Sequence, residues 1–186
     1  MRHLAFPVQT ERLLLRPFVD ADLEALFAMQ SREDVTRYLY WGPRSLDEVR
    51  HQLERLKGMN SLDGDSDALR LAAVVRDSGA MIGDVTLHSV NREHLQAELG
   101  FIVHPDYHGQ GYATEATAEM LRIGFEDLGL HRIYGSCDAR NAASAAVMER
   151  LGMRLEAHFR EKTFVKGEWC DELIYAILAT EWAAAR

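Results

Sequence analysis

Cysteine and proline are scarce in this 186-residue chain, with 2 of the first and 4 of the second. Cys137 and Cys170 lie far apart and form no Cys-x-x-Cys pair. That argues against a disulfide framework or a zinc site, and fits buried free thiols in a cytoplasmic protein. The eight histidines are scattered, and the pair four apart, His104 and His108, falls in a loop pattern rather than on a helix, so no metal is expected. No apolar run approaches the roughly 20 residues of a membrane span, and the first nine residues hold too few apolar positions for a signal peptide. No linker, repeat or low-complexity stretch appears, so residues 1–186 read as one domain. Positive charge is also in short supply: 21 Lys and Arg stand against 29 Asp and Glu, a net charge of −8. A nucleic-acid partner would need a clustered basic surface, which this balance argues against. Acidic surfaces attract cations such as amines, although most such charges are solvated faces.

What is present is a regular alternation of patterns. Residues 11–17 read as a strand ended by Pro17. A helix follows, with Asp20 suited to the N-cap and Leu23, Leu26 and Phe27 forming its apolar face. An aromatic segment with Tyr38, Tyr40 and Trp41 stops at Gly42-Pro43. Ser45 and Glu48 then form a capping-box signature for a helix reaching about Gly58. Past a polar loop over residues 60–67, strand patterns cover 69–76, 81–90 and 96–103, the first two joined as a hairpin by Asp77-Ser-Gly79. A helix over 114–128, a strand over 131–137 and a helix over 141–151 closed by Gly152 come next. A hairpin around Lys166-Gly167 ends the chain. The order implies an α/β (α+β) fold: a mixed, largely antiparallel twisted sheet of about seven strands flanked by helices.

The most informative stretch is His104-Pro-Asp-Tyr-His-Gly-Gln-Gly-Tyr-Ala-Thr-Glu-Ala116, which passes from a strand through two glycines into an amphipathic helix. Helix starts leave backbone N–H groups unpaired beside the positive end of the dipole. Gly109 and Gly111 remove the side chains that would keep a ligand away. Such a turn suits a phosphate or pyrophosphate, though an empty strand-to-helix turn has the same pattern.

Four blocks in order resemble the GNAT superfamily of acyl-CoA-dependent N-acetyltransferases, and within it the RimJ/RimL-like branch that includes enzymes acetylating ribosomal-protein N-termini. They are Ala97-Glu-Leu-Gly-Phe-Ile-Val103, His108-Gly-Gln-Gly-Tyr-Ala-Thr-Glu-Ala116, Asn141-Ala-Ala-Ser144 with Leu151-Gly-Met153, and Val165-Lys-Gly-Glu-Trp-Cys-Asp171. The superfamily's pyrophosphate signature places Arg or Gln three residues before a Gly, with Gly or Ala two further on. Here those positions are His108, Gly111 and Ala113. A histidine there removes a fixed charge, while the backbone cradle does not depend on it.

The resemblance implies acetyl-CoA in a V-shaped opening between the strands at 96–103 and 131–137. Backbone groups of Phe101, Ile102 and Val103 would pair with the pantetheine arm. His108, Gly109, Gln110, Gly111, Tyr112, Ala113 and Thr114 would surround the pyrophosphate. Ser144 is the implied donor to the leaving sulfur. Asn141 is implied to position the cofactor, or is simply a helix cap. Glu98, beside the cofactor edge, is the candidate general base, directly or through water, and a partner for a sheet-facing Arg or a backbone group is the other reading of it. Asp84, Glu93 and His88 are weaker candidates, and Tyr134 and Tyr175 suit packing. Tyr38, Tyr40, Trp41 and Trp169 are the candidate acceptor-binding residues, with the Lys166-Gly167 turn and with Asp171 binding or bracing. The expected reaction is direct transfer to a primary amine, either a protein N-terminus or a small molecule, by a monomer or homodimer without a membrane partner. A non-catalytic acyl-CoA-binding regulatory module is the alternative on the same fold.

Overall fold

A computed structural model describes residues 4–61, 68–91 and 93–184. Most of the loop expected over 60–67 lies outside the described residues. The elements are β1 (Val8–Gln9), β2 (Leu13–Arg16), α1 (Leu23–Gln30), α2 (Glu33–Thr36), α3 (Leu46–Lys57), β3 (Asn60–Ser61), β4 (Ala68–Val75), β5 (Met81–Asn91) and β6 (Gln96–Val103). They continue with α4 (Tyr112–Arg122), β7 (Arg132–Asp138), α5 (Ala142–Arg150), β8 (Arg154–Val165), β9 (Glu168–Leu178) and α6 (Ala179–Ala184). One sheet takes the order β1-β2-β4-β5-β6-β7-β9-β8, with β3 also on β4. Every pairing is antiparallel except β6 with β7. The seven expected strands are all present; β1 and β3 are two-residue additions, too short to show an alternation.

Two helix starts contrast. Ser45 caps α3 as expected: its hydroxyl accepts from the Glu48 N–H, and Glu48 accepts from the Ser45 N–H at 2.8 Å. Asp20, by contrast, is no cap. It sits in a tight 3₁₀ turn, Asp20–Asp22, and its carboxylate takes the Lys57 ammonium at 2.6 Å. Asp22 does the corresponding work, accepting the Val19 N–H at 2.9 Å and the Arg16 guanidinium at 2.7 and 2.8 Å. The tight turn moved the reach of a carboxylate by two residues.

Alternation along the strands divides the sheet into two faces. Leu69, Leu71, Val85, Leu87, Ala97, Leu99, Ile133 and Ile177 face Met120 and Leu121 of α4 and Met148 of α5 in the larger core. At Gly135 a Cβ would meet Met148 Sδ at 2.8 Å, so glycine lets α5 sit close on this face. The other face carries a smaller core of Ala72 with Leu26, Met29, Val49, Leu53 and Leu56, reaching β6 only at the partly buried Ile102. Beyond it, the segment after α2 covers the sheet: Tyr40 donates to Glu172 at 2.8 Å, and the Lys166 ammonium donates to the Thr36 carbonyl at 2.6 Å. Among the described residues no helix is long and apolar enough to cross a membrane.

Candidate active site

The parallel pair β6–β7 runs for only four positions, from Gln96–Arg132 to Leu99–Gly135. Past that point β6 stays with β5 through Val103, and β7 stays with β9 through Asp138. The two strands therefore part in the middle of the sheet. The His104 N–H donates to the Ile82 carbonyl across to β5. Strand alternation then turns the backbone groups of Phe101 and Val103 to the opposite edge, into the opening, and those of Ile102 toward β5. So two of the three backbone positions expected to meet an extended amide face the gap, and Ile102 does not. The Val103 carbonyl is already engaged: His108 donates to it from Nε2 at 2.8 Å, which requires the proton on that nitrogen.

The glycine turn follows directly. Gly109 and Gly111 have φ of 72° and 83°, the left-handed region where L side chains are strained. Gly111 is the N-cap of α4, so the N–H groups of Tyr112, Ala113 and Thr114 form the open first turn, two residues earlier than the pattern implied. Glu115 in that turn would repel an anion, but it is spent internally. It accepts from the Thr10 hydroxyl at 2.6 Å and from the Arg12 N–H and guanidinium at 2.7 Å each. Burial raises the Glu115 carboxyl, but these bonds outweigh it and hold it below the usual range. Arg12 also donates to the Gln110 carbonyl at 2.8 Å and stacks over the Tyr112 ring at 4.4 Å. A fixed cation thus stands beside the turn where the sequence shows only His108. Its source is a residue nearly one hundred positions away, and no local motif near the glycines announces it.

On the face opposite α4 and α5, Glu98 lies beside His88 of β5 and Tyr134 of β7 in one register row. The Ser136 hydroxyl, just past the parting of the strands, donates to Glu98 Oε1 at 2.7 Å. Gly100 leaves room beyond, since a Cβ there would meet nothing within 4 Å. Burial and Arg70 hold the His88 imidazole below its ordinary value, leaving the ring neutral near pH 7. A pocket open to solvent adjoins this row; its lining includes Tyr38, Tyr40, Ser136, Asp138 and Glu172. Glu172 is buried, accepting from Tyr40 and from Lys162. Burial, that bond and the charges of Glu172, Glu98 and Asp138 push the Tyr40 hydroxyl above its usual range, so it stays a donor. Cys137 also borders the pocket, and burial pushes its thiol up to about 11.

The other candidates separate cleanly. Asn141 is the N-cap of α5, its Oδ1 accepting from the Ser144 N–H at 3.1 Å, which leaves its amide N–H groups for a ligand. Ser144 is half-buried in the first turn of α5, and its hydroxyl makes no hydrogen bond among the described residues. Tyr38 and Tyr40 line the pocket. Trp41 lies under the Arg44 guanidinium at 3.9 Å, and the exposed Trp169 pairs with Phe164 at 5.3 Å; neither lines it. Asp171 braces the hairpin through His158 and the Glu161 N–H. Asp84 is buried and paired with Arg70 at 2.7 Å, Glu93 lies on an exposed turn, and Tyr175 donates to Glu149 at 2.9 Å. Ser136, Asp138, Lys162 and Glu172 went unread because each belongs to an ordinary alternating strand, and only the register gathers them.

A parted parallel pair with a glycine-turned helix start beside it is the arrangement of an acyl-CoA-dependent acetyltransferase. The chain belongs to the GNAT acetyltransferase family, whose domain model, "Acetyltransferase (GNAT) domain", matches residues 12–154, and it is an N-acetyltransferase of that family. It is similar to the uncharacterized N-acetyltransferase YnaD of Bacillus subtilis strain 168, with 35% identity over 94% of this chain and 98% of that one. It is also similar to the spermidine N(1)-acetyltransferase of Escherichia coli K12, with 26% identity over 91% of this chain and 88% of that protein. Among solved structures, a GNAT-family acetyltransferase from Bacillus anthracis superposes with a TM-score of 0.85 at 32% identity, covering 94% of this chain and 99% of that one.

Proposed function

We propose that the protein transfers the acetyl group of acetyl-CoA directly to a primary amine, a small molecule or a protein N-terminus, with Glu98 as base and Ser144 as donor to the leaving sulfur. The observation that carries this reading is the gap between β6 and β7. It has Glu98 and Ser136 on one face and the first turns of α4 and α5 at its other side. The residues fit a CoA thioester. The glycine turn is open where a Cβ at Gly109 would meet nothing within 4 Å, and the strand edge at Phe101 and Val103 offers backbone groups to an extended amide.

Bound acetyl-CoA supplies an electrophilic carbonyl on a thiolate leaving group. Glu98 accepts a proton from the acceptor's ammonium, directly or through water, while Ser136 holds its carboxylate in place. The amine nitrogen forms the new N–C bond, the C–S bond breaks, and the nitrogen gives up a second proton. Ser144, its hydroxyl uncommitted, donates toward the sulfur, which leaves as the thiol. The balance is one ammonium and one thioester in, one amide, one thiol and one proton out. Holding both reactants in the gap supplies much of the rate. The reading includes a cytoplasmic setting, where thiols such as Cys137 and Cys170 stay reduced.

Two measurements test it. Calorimetry should find saturable acetyl-CoA binding, and a thiol-release assay over a panel of primary amines should find turnover dependent on acceptor. Binding without turnover on any amine would favour a regulatory acyl-CoA-binding module instead.

A further inference from the structure

The pocket on the Glu98 face has an interior and a mouth of opposite electrical character. The carboxylates that line it already have partners. Glu172 is held by Tyr40 and Lys162. Asp138 is held by Arg140 at 2.7 Å, whose other arm takes Glu168 at 2.8 Å. Asp171 is held by His158 at 2.8 Å. Glu98 does not itself line the pocket but adjoins it through Ser136; its bond is to that neutral hydroxyl, and no cation pairs with it among the described residues.

The mouth reverses this. Arg37 is exposed, lies over the Tyr38 ring at 5.3 Å, and makes no ion pair among the described residues. Lys166 sits in the β8–β9 turn with φ of 53°, and its ammonium donates only to the neutral Thr36 carbonyl, which leaves it without an ion pair among the described residues. Both side chains line the pocket. The acidic groups beside them are accounted for as follows. Asp34 is tied to Arg32 at 2.7 Å and Glu168 to Arg140, while Glu33 lines the adjoining groove with no partner among the described residues. Among the described residues, two cations without an ion pair therefore face one unpaired carboxylate at the mouth, and that carboxylate lies outside the pocket itself.

An amine drawn to Glu98 reaches out past Tyr38 and Tyr40 toward these cations. A second ammonium would meet like charge there, whereas a carboxylate matches the planar guanidinium fork and the adjacent ammonium. We propose that the acceptor is a primary amine carrying a carboxylate, an amino acid or short peptide, with its amine at Glu98 and its carboxylate on Arg37 and Lys166. This rests on the transferase reading above and narrows it. It runs against the simple transfer of a polyamine preference from the spermidine-acetylating relative.

The test compares kcat/KM, at saturating acetyl-CoA, for amino acids and dipeptides, their C-terminal amides, and spermidine. The free acids should exceed their amides by about tenfold or more, as expected for losing a charge-assisted hydrogen bond. The double variant Arg37→Ala, Lys166→Ala should erase that difference through KM, and Arg37→Glu with Lys166→Glu should turn the preference toward spermidine. Acetyl-CoA affinity, measured by calorimetry on each variant, reports that the fold and cofactor side are intact. Equal use of acids and amides, or preference for spermidine by the unmodified protein, overturns the assignment of the mouth while leaving the transferase standing. No turnover on any amine, with acetyl-CoA still bound, overturns both.

Discussion

The two sides of the β6–β7 gap are built on different plans. On the α4 side, the groups proposed to bind are backbone amides from one short stretch, Gly109 to Thr114, fixed by left-handed glycines and a helix start. On the Glu98 side they are side chains from β6, β7, β9 and the segment after α2, brought together by sheet register. A backbone site tolerates side-chain change and depends on conformation. A side-chain site depends on each residue and adapts its specificity through single replacements. On the proposed reading, one side therefore stays generic for the donor while the other varies with the acceptor.

This contrast can be broken at defined points. The largest effect is expected for Glu98→Gln, because loss of a general base costs about 10²–10⁴-fold. Steady-state kinetics should show a fall in kcat of that order with acetyl-CoA affinity unchanged; retained turnover would move the base elsewhere. Next comes Ser144→Ala, expected to lower kcat about a hundredfold, the lower end of the range for one donor at a developing charge, with little change in acetyl-CoA affinity. If kcat is untouched, the assignment of Ser144 fails.

Gly111→Val tests the backbone plan. A branched side chain at φ of 83° is strained by about 1–2 kcal/mol, and its Cβ would crowd the Arg12 guanidinium at 3.3 Å. Acetyl-CoA affinity should drop about tenfold by calorimetry, the equivalent of about 1.4 kcal/mol, and an unchanged value would remove the cradle from the binding site.

The smallest effect concerns the Arg12–Glu115 brace. Arg12 is 40% exposed, so solvent screening limits the pair, and Arg12→Met should cost about 1 kcal/mol in urea unfolding. The pH dependence has a definite sign. The folded Glu115 carboxyl lies below its ordinary 4.5, so its contribution is complete above that pH and is lost as pH falls through the lowered folded value. Removing Arg12 should flatten that part of the stability–pH curve, while a steeper acid decline would show the brace to be misassigned.

Legibility followed the same division. The α3 capping box, the β4–β5 hairpin and the Gly152 stop could be read locally because each depends on contacts within a few residues. Asp20 misled because Asp and Asp two residues apart offer the same chemistry, and only the tight turn chose Asp22. Trp41 and Trp169 suggested acceptor contacts by type, yet both pack on neighbours outside the pocket.

The sequence by itself determined the seven main strands, the glycine turn and the family, because periodicity and turn chemistry are short-range. Only the tertiary structure decided that Arg12 braces that turn and that Ser136 reaches Glu98. It also decided that Arg37 and Lys166 share one pocket mouth. Those relations span 98 positions for Arg12 and Gln110 and 38 for Ser136 and Glu98, and tertiary packing, not local propensity, brings such residues together.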